Sequence, residues 1–185
     1  MKPAPFGYAR AATLDDVFSL LAEHGDDAKI LAGGQSLMAT LNMRLSAPEV
    51  LIDINRIDGL AGIDDTGDVI RIGAMTRHID IEKSALVATH APLIAAAMEH
   101  IAHPAIRNRG TFGGSIAFAD PAAELPACAV ALEATMHVAG KDGLRDIAAE
   151  DFFKGLYETA LGDGEILTAV SVPKIANDWK SGFME

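Results

Sequence analysis

Apolar and polar residues near the start of the chain alternate with the period of a helix. Thr13 and Asp16 stand at capping-box positions, and apolar residues then recur at helical spacing. Gly25 follows the last of them and is a typical helix stop. The pattern therefore predicts a first helix between Thr13 and Gly25.

Two short apolar runs flank a second helical segment. Residues 28–32 and 49–54 are short, mainly apolar runs of the kind that form buried strands. Residues 35–43 between them have helical character. Together these segments predict a βαβ-like N-terminal lobe over residues 1–55.

Residues 55–67 are rich in turn formers and are predicted to separate this lobe from a larger one over residues 56–177. In the larger lobe, Thr76 and Thr89 are the predicted helix starts, and Pro104 is the predicted stop of the second helix. The elements of the two lobes together predict an α+β fold. The further predicted helices cover residues 76–86, 91–101 and 122–134, and the predicted strands cover 68–74, 135–139, 143–147 and 165–172.

The composition limits the classes of partner. The 185 residues carry a formal net charge of −11 at pH 7, which argues against nucleic acid or an anionic membrane as the main partner. No apolar run approaches the roughly 20 residues that span a bilayer, and the first residues lack a signal-peptide core. The single cysteine, Cys128, forms no internal disulfide and cannot alone ligate an iron–sulfur cluster. These features predict a cytoplasmic chain without a membrane span.

Two glycine-rich segments carry the clearest indication of function: residues 31–37 (LAGGQSL) and 109–115 (RGTFGGS). Each presents backbone N–H groups without a bulky side chain in front, as a chain that wraps a phosphate requires. In so acidic a chain, local N–H dipoles must supply the attraction. The first segment is neither a Walker loop nor a G-x-G-x-x-G fingerprint. Taken alone, it is more often only a tight turn.

Polar side chains around the second segment favour a binding site. Arg107 and Arg109 supply two cations just before the glycines, and Thr111 and Ser115 supply hydroxyls that can add hydrogen bonds. This combination of cations, hydroxyls and backbone donors suits an anionic ligand better than a tight turn alone requires.

Two carboxylates farther along have two explanations each. Asp120 is either a helix N-cap or an acceptor for ribose or ring N–H groups, and Glu124 is either a first-turn carboxylate or such an acceptor. His100 and His103 are the only histidines close together, which is too few for a metal site. The sequence offers no nucleophile–base constellation, so neither a catalytic residue nor a metal ligand is predicted.

The two segments, in this order, resemble a known family signature. Residues 32–38 (AGGQSLM) with 51–54 (LIDI) are similar to the first half of the FAD-binding medium subunit of molybdenum hydroxylases. Residues 107–115 (RNRGTFGGS) with 119–126 (ADPAAELP) are similar to the second half. The family includes carbon monoxide dehydrogenase, xanthine dehydrogenase, and nicotine and isoquinoline dehydrogenases.

The resemblance implies a two-lobed PCMH-type FAD-binding domain, with a small βαβ-like lobe and a larger mixed or antiparallel sheet with helices. Both glycine segments would hold the pyrophosphate, mostly through backbone N–H groups. Residues 178–185 would begin a third lobe that is cut off. Leu167 would pack near the flavin ring, with a place in the core as an equal alternative. The implied cofactor contacts are Ala32, Gly33, Gly34, Gln35, Ser36, Leu37, Thr111, Gly113, Gly114, Ser115, Asp120, Glu124 and Leu167.

The resemblance also implies an electron-transfer flavin subunit of a molybdenum-containing hydroxylase or dehydrogenase. A large subunit with the molybdenum cofactor would oxidise the substrate, and a small subunit with two [2Fe–2S] clusters would pass electrons to FAD here and then to an external acceptor. The implied assembly is a heterohexamer with two copies of each subunit, and the chain alone would not act on the substrate. Gln35 stands where some related flavoenzymes attach FAD to histidine, so FAD would be non-covalent.

Two other functions stay open at this point. A stand-alone flavin oxidoreductase would need a substrate pocket with acid–base groups over the ring. A structural subunit that has lost FAD would only bridge partners, and the intact glycine segments argue against it.

Overall fold

A computed structural model describes residues 2–175 and 179–184. The N-terminal part of the chain forms a small parallel sheet. Its strands are β1 (Gly7–Arg10), β2 (Ala28–Leu31) and β3 (Val50–Asp53), in the order β1–β3–β2. Because all three strands run parallel, their carboxyl ends meet at one edge of the sheet.

The first two helices follow the predicted pattern. Helix α1 (Leu14–His24) has a complete capping box, since Thr13 accepts from the Asp16 N–H and Asp16 accepts from the Thr13 N–H. A 3₁₀ turn (Gly25–Asp27) follows at the predicted stop. Helix α2 (Leu37–Asn42) is shorter than predicted and begins after the first glycine segment.

The larger part of the chain holds an antiparallel sheet with the strand order β4–β5–β10–β6–β7. A bulge between Leu167 and Ala169 interrupts the register of its central strand. A two-stranded ribbon, β8–β9, stands apart. The strands are β4 (Ile63–Asp65), β5 (Val69–Gly73), β6 (Thr135–Gly140), β7 (Gly143–Ala148), β8 (Phe153–Gly155), β9 (Glu158–Thr159) and β10 (Ile166–Pro173).

Seven further helices pack on this sheet, and three predicted helix boundaries are wrong. The Thr76 hydroxyl bonds to the backbone of Gly62 instead of capping a helix, Thr89 lies inside one, and Pro104 begins a helix. The predicted helix over 76–86 is broken because Ser84 caps a new one. The helices are α3 (His78–Glu82), α4 (Ala85–His90), α5 (Pro92–Met98), α6 (Pro104–Arg107), α7 (Phe112–Phe118), α8 (Glu124–Ala131) and α9 (Ala149–Phe152).

Two clusters of buried apolar side chains hold the elements together. The larger one lies between the antiparallel sheet and its helices and includes Phe112 and Phe152, both fully buried. The smaller one lies under the parallel sheet and joins Ile52 to Leu60 and Met75. Ile166 of β10 belongs to the same cluster, so the cluster connects the two sheets. Each fully buried side chain of this size contributes about 2 kcal/mol of stability.

Strands β1 and β4 were not predicted. Three of the four residues of β1 are exposed and the fourth is half-buried, so the strand has no buried face and no apolar period. Pairing with β3 forms it. Strand β4 is an edge strand with two exposed aspartates, and it pairs only with β5.

Within the described residues, no helix has the length and apolar character needed to cross a bilayer. Residues 179–184 have no regular secondary structure. Asp178 and Glu185, which belong to the predicted third-lobe segment 178–185, lie outside the described residues. The lobe boundaries at 55 and 177 remain predictions.

Candidate functional site

A cavity of about 630 Å³ opens at the carboxyl edge of the parallel sheet, where the two sheets meet. Ligands of α/β proteins generally bind at this edge, because loops after parallel strands converge there. The cavity is lined by Tyr8, Leu31, Ala32, Gly33, Gly34, Gln35, Met38, Asp53, Asn55, Arg77 and Arg109.

The first glycine segment borders this cavity with its backbone donors free. In the part of the chain that the structure describes, the N–H groups of residues 33–37 donate no hydrogen bond. Gly34 has φ = +71°, a left-handed conformation that a side chain would disfavour. The Gln35 side chain donates to the Gly33 carbonyl oxygen at 3.0 Å and braces the turn. A run of unpaired N–H groups around a cavity can bind an anion such as a phosphate.

The second glycine segment was predicted to present free backbone N–H groups, but several of them are already bonded inside the protein. Thr111 is the N-cap of α7, and its hydroxyl accepts from the Gly114 N–H at 3.2 Å. The Gly113 N–H donates to the Ala74 carbonyl at 2.8 Å, and the Phe112 N–H donates to Thr76 at 2.9 Å. These three donors are therefore used inside the protein.

Packing explains the two glycines of this helix. A β-carbon on Gly113 would lie 2.7 Å from the Ala74 Cα, and one on Gly114 would lie 2.6 Å from the Thr111 hydroxyl oxygen. Both distances are too short for a real contact, so only glycine fits. Gly114 also faces the first segment, since its β-carbon would come within 3.8 Å of Ala32 Cβ.

The two segments touch at Gly33. A β-carbon there would overlap the Arg109 carbonyl oxygen and lie 2.9 Å from the Gly110 Cα. The fold therefore brings together two segments that are far apart in the sequence. Their separation is at the limit that backbone atoms allow.

Of the two cations predicted beside the glycines, only Arg109 lines the cavity. Arg107 is buried, donates to Glu82 at 2.9 Å and donates to the carbonyl oxygens of Ile101 and Ala102. Arg109 is exposed, lines the cavity, and has no side-chain partner among the described residues. The second cation of the cavity is Arg77, which the sequence analysis did not identify.

A hydrogen-bonded chain along the cavity joins Tyr8, Asp53, Asn55 and Arg77. The Tyr8 hydroxyl donates to Asp53 Oδ2, and the Asn55 backbone N–H donates to Asp53 Oδ1 at 2.8 Å. Burial alone would raise the pKa of Asp53, but the hydrogen bonds from Tyr8 and Asn55 and the charge of Arg10 outweigh it and hold that pKa below its usual value. Asp53 therefore stays ionised as an acceptor. Arg77 extends the chain by donating to Asn55 Oδ1 at 2.6 Å.

Ser36 and Leu37 end the first segment at the start of α2, Ser115 lies in α7, and none of the three lines the cavity. Asp120 is not an N-cap, because Ala123 takes that position and Asp120 accepts from the Ala122 N–H at 2.9 Å. The first-turn position of Glu124 in α8 is confirmed. The roles of these residues toward a cofactor remain predictions.

Leu167 is buried, with 5% of its surface exposed, within the apolar core of the antiparallel sheet. This agrees with the core alternative for this residue. Its predicted packing near a flavin ring remains a prediction. Cys128 is also buried, and burial raises its thiol pKa to about 11, so it is unreactive.

The structure brings together a serine, a histidine and an aspartate, although no nucleophile–base constellation was predicted. His137 Nε2 lies 2.6 Å from Ser171 Oγ, and His137 Nδ1 lies 2.7 Å from Asp146 Oδ1. The residues come from β10, β6 and β7, which are paired strands, so the neighbouring backbone donors belong to the ladder. Neither described cavity includes them. Because these residues lie outside both described cavities and the neighbouring backbone donors pair within the sheet, we interpret this relay as structural.

Among the described residues, no group of three or more histidine, cysteine or carboxylate side chains could hold a metal ion. The residues that sequence reasoning missed at the cavity are Tyr8, Asp53, Asn55 and Arg77. Tyr8 and Asp53 lie on β1 and β3, at the edge where parallel strands place ligands. Recognition of β1 would have supplied that signal.

The family model described as "FAD binding domain in molybdopterin dehydrogenase" matches residues 4–175. The chain is 44% identical over 182 residues to the nicotine 6-hydroxylase medium subunit of Paenarthrobacter nicotinovorans, a match that covers 98% of the chain and 64% of that protein. It is 42% identical over 176 residues to the carbon monoxide dehydrogenase medium chain of Hydrogenophaga pseudoflava, over 95% of the chain and 61% of that protein.

A solved structure of carbon monoxide dehydrogenase from Hydrogenophaga pseudoflava contains a similar chain. It superposes with a TM-score of 0.93 at 42% identity and covers 96% of this chain and 62% of its own length. The chain thus spans a little over three fifths of the relatives that it matches. The predicted α+β fold with a mixed or antiparallel second sheet is confirmed.

Proposed function

This chain belongs to the family of FAD-binding domains of molybdopterin dehydrogenases, and on that premise we propose that it is the flavin-binding part of an electron-transfer subunit. The cavity at the carboxyl edge of the parallel sheet is the proposed FAD site. Its ligand would be held without a covalent bond, since Gln35 offers no attachment point for a flavin.

The observation that carries the proposal is the unpaired backbone of residues 33–37 beside two arginines. Within the described residues, the five N–H groups of residues 33–37 have no internal acceptor, and the first three of these residues line a cavity that Arg77 and Arg109 also line. In a chain with a net charge of −11, this is a local positive site. It fits a diphosphate, because backbone donors and guanidinium groups are the partners that phosphate oxygens prefer.

The residues divide the work of binding. The 33–37 backbone and Arg109 would hold the pyrophosphate, and Arg77 would add charge from the other wall. Thr111 and the first turn of α7 would support the contact between the two segments. Asp53 has the ionised oxygens that suit a ribose hydroxyl, although its present hydrogen bonds already use both of them. When bound, FAD supplies the electron-transfer chemistry, and the protein supplies position and electrostatics.

The rest of the assembly is inferred from the relatives. Their names describe medium chains and medium subunits, which implies partner subunits of other sizes. We infer a large subunit with the molybdenum cofactor and a small subunit with [2Fe–2S] clusters, in a heterohexamer of three subunit types. The complex would be cytoplasmic. A chain with one buried cysteine and no disulfide among its described residues is compatible with that compartment.

The test is titration of the chain with FAD, followed by quenching of flavin fluorescence, with FMN and riboflavin as controls. We expect saturable FAD binding and at least roughly tenfold weaker binding of both controls, because only FAD carries the diphosphate bridge between two nucleoside-like halves. Equal binding of FMN would contradict a dinucleotide site. No saturable binding would favour a structural subunit, and oxidation of NADH by the FAD-loaded chain would favour a stand-alone oxidoreductase.

A further inference from the structure

We propose that Asn55 and Arg77 form a latch between the two sheets that sets the spacing of the two glycine segments before any ligand arrives. The proposal rests on the proposed FAD site, whose affinity the latch would determine. Both residues line the cavity, and each also donates to a backbone carbonyl oxygen of one segment, Asn55 to Ala32 and Arg77 to Arg109.

Asn55 fixes the first segment. Its side-chain amide donates to the Ala32 carbonyl oxygen at 2.8 Å, directly before the glycine pair. The same amide group donates to Asp53 Oδ1 at 2.7 Å, and the Asn55 backbone N–H donates to that oxygen at 2.8 Å. Asp53 in turn accepts from Tyr8. The Asn55 side chain is therefore oriented from two sides and presents its oxygen away from the first segment.

Arg77 fixes the second segment. One terminal nitrogen, Nη1, donates to the Arg109 carbonyl oxygen, and the other, Nη2, donates to Asn55 Oδ1 at 2.6 Å. Arg77 is half-buried and is the N-cap residue of α3, so its backbone is anchored in the larger part of the fold. A planar guanidinium with two parallel donors can join two acceptors in this way, whereas a lysine ammonium is a single point charge.

Three hydrogen bonds close one path between the segments. The path runs from the Ala32 carbonyl through Asn55 and Arg77 to the Arg109 carbonyl. Arg109 is also the residue whose carbonyl oxygen Gly33 approaches. The direct contact sets the shortest possible separation of the segments, and the latch prevents a larger one. A diphosphate that must reach donors on both walls would meet them already in place, so little ordering remains to be done on binding.

The latch is tested first in the ligand-free chain, by amide NMR of the ¹⁵N-labelled protein. The variants are Asn55→Asp, which keeps an acceptor for Arg77 and loses the donor to Ala32, and Arg77→Lys, which keeps the charge and loses the fork. The matched control is Arg56→Ala, an exposed neighbour whose side chain has no partner among the described residues. We expect shifted and more mobile amides at residues 33–37 and 109–111 in both latch variants but not in the control.

The second measurement is FAD affinity. Each latch variant should bind FAD roughly tenfold more weakly, and the double variant should lose little beyond either single change, because both changes break the same path. Unchanged amides in the free chain, together with multiplicative losses of affinity, would overturn the latch and make both residues independent ligand contacts. If the unaltered chain binds no FAD, the proposed function fails, but the spectra of the free chain still decide the latch.

Discussion

Gly33 lies so close to Arg109 that a single added methyl group would overlap the Arg109 carbonyl oxygen. The two residues are 76 positions apart in the sequence. Their contact defines one wall of the cavity, because Gly33 and Arg109 both line it. The absence of a side chain at position 33 is therefore a tertiary requirement, and it leads to the first prediction.

Gly33→Ala should push the two segments apart. A forced overlap of this kind costs about 1–3 kcal/mol, and we expect the free energy of unfolding to fall by that amount together with a loss of FAD affinity. Urea unfolding and FAD titration measure the two effects. Gly182→Ala is the control, since a β-carbon there has no neighbour within 4 Å. A Gly33→Ala chain as stable as this control would contradict the close contact.

The two arginines before the second segment should behave differently. Arg109→Ala should weaken FAD binding by about tenfold and leave stability unchanged, because its exposed guanidinium has no partner among the described residues. Arg107→Ala should lower stability by roughly 3 kcal/mol, because it leaves Glu82 partly buried without its cation. Thermal unfolding and FAD titration of both variants provide the comparison. Equal effects on stability would show that Arg109 has an internal role.

His78 should make the fold sensitive to mild acid. It is 6% exposed, and neither ring nitrogen has a hydrogen-bond partner in the described part of the chain. Burial lowers the pKa of His78 from the ordinary 6.5, helped by the charges of Arg107 and Arg77, and outweighs the opposing effect of the nearby Thr111 backbone. The folded state therefore favours neutral His78. Its stability is fully present above about pH 6.5 and declines as the pH falls below that value toward the lower folded-state pKa.

The free energy of unfolding, measured with urea from pH 7.5 to 5, tests this prediction. We expect His78 to contribute a loss of up to about 1.4 kcal/mol per pH unit below pH 6.5. His78→Gln should flatten the curve in that window, and the exposed His103→Gln should not. Parallel curves for the unaltered chain and His78→Gln would contradict a neutral buried imidazole.

Thr111 and Thr13 provide a matched pair of helix caps. Each hydroxyl accepts a backbone N–H at the start of its helix, from Gly114 and Asp16 respectively. Thr111→Ala and Thr13→Ala should each cost about 1 kcal/mol of stability. Only Thr111→Ala should also weaken FAD binding, because α7 begins beside the first segment and α1 does not line the cavity. Equal FAD affinities for the two variants would separate α7 from the site.

The relay of Ser171, His137 and Asp146 should be chemically inert. Because it lies on paired strands outside the described cavities, we expect no labelling of Ser171 by a fluorophosphonate. Ser171→Ala should cost about 1 kcal/mol through the lost hydrogen bond to His137 and should leave FAD affinity unchanged. Mass spectrometry after labelling is the direct measurement, and a modified Ser171 would establish a second reactive site.

Local patterns predicted the elements whose residues carry their own signal. Helix α1 appeared with both of its caps, because Thr13, Asp16 and Gly25 are local in sequence. Strand β5 appeared with Ile70 and Ile72 on its buried face, because one face of it packs against helices. Strand β1 has no buried face, so only its pairing with β3 could reveal it.

The features of the candidate site also separate into those predicted from local sequence and those set by tertiary contacts. The sequence by itself determined that residues 31–37 form a glycine turn between a strand and a helix, and that the chain resembles a family of flavin-binding subunits. It also marked the second glycine segment, but as a source of free backbone N–H groups. Tertiary hydrogen bonds to Ala74 and Thr76 made it the first turn of α7.

Only the tertiary structure decided which charges face the cavity and how the two segments meet. Arg107 and Arg109 are alike as sequence, yet Arg107 ends α6 and is buried against Glu82, whereas Arg109 lies beyond that helix and has no side-chain partner among the described residues. Asn55 and Arg77 carry no local motif, and their role comes from acceptors on segments that the chain folding brings within reach. Sequence periodicity reports the burial of a residue against its own element, whereas a binding site is assembled by contacts between elements that no local pattern records.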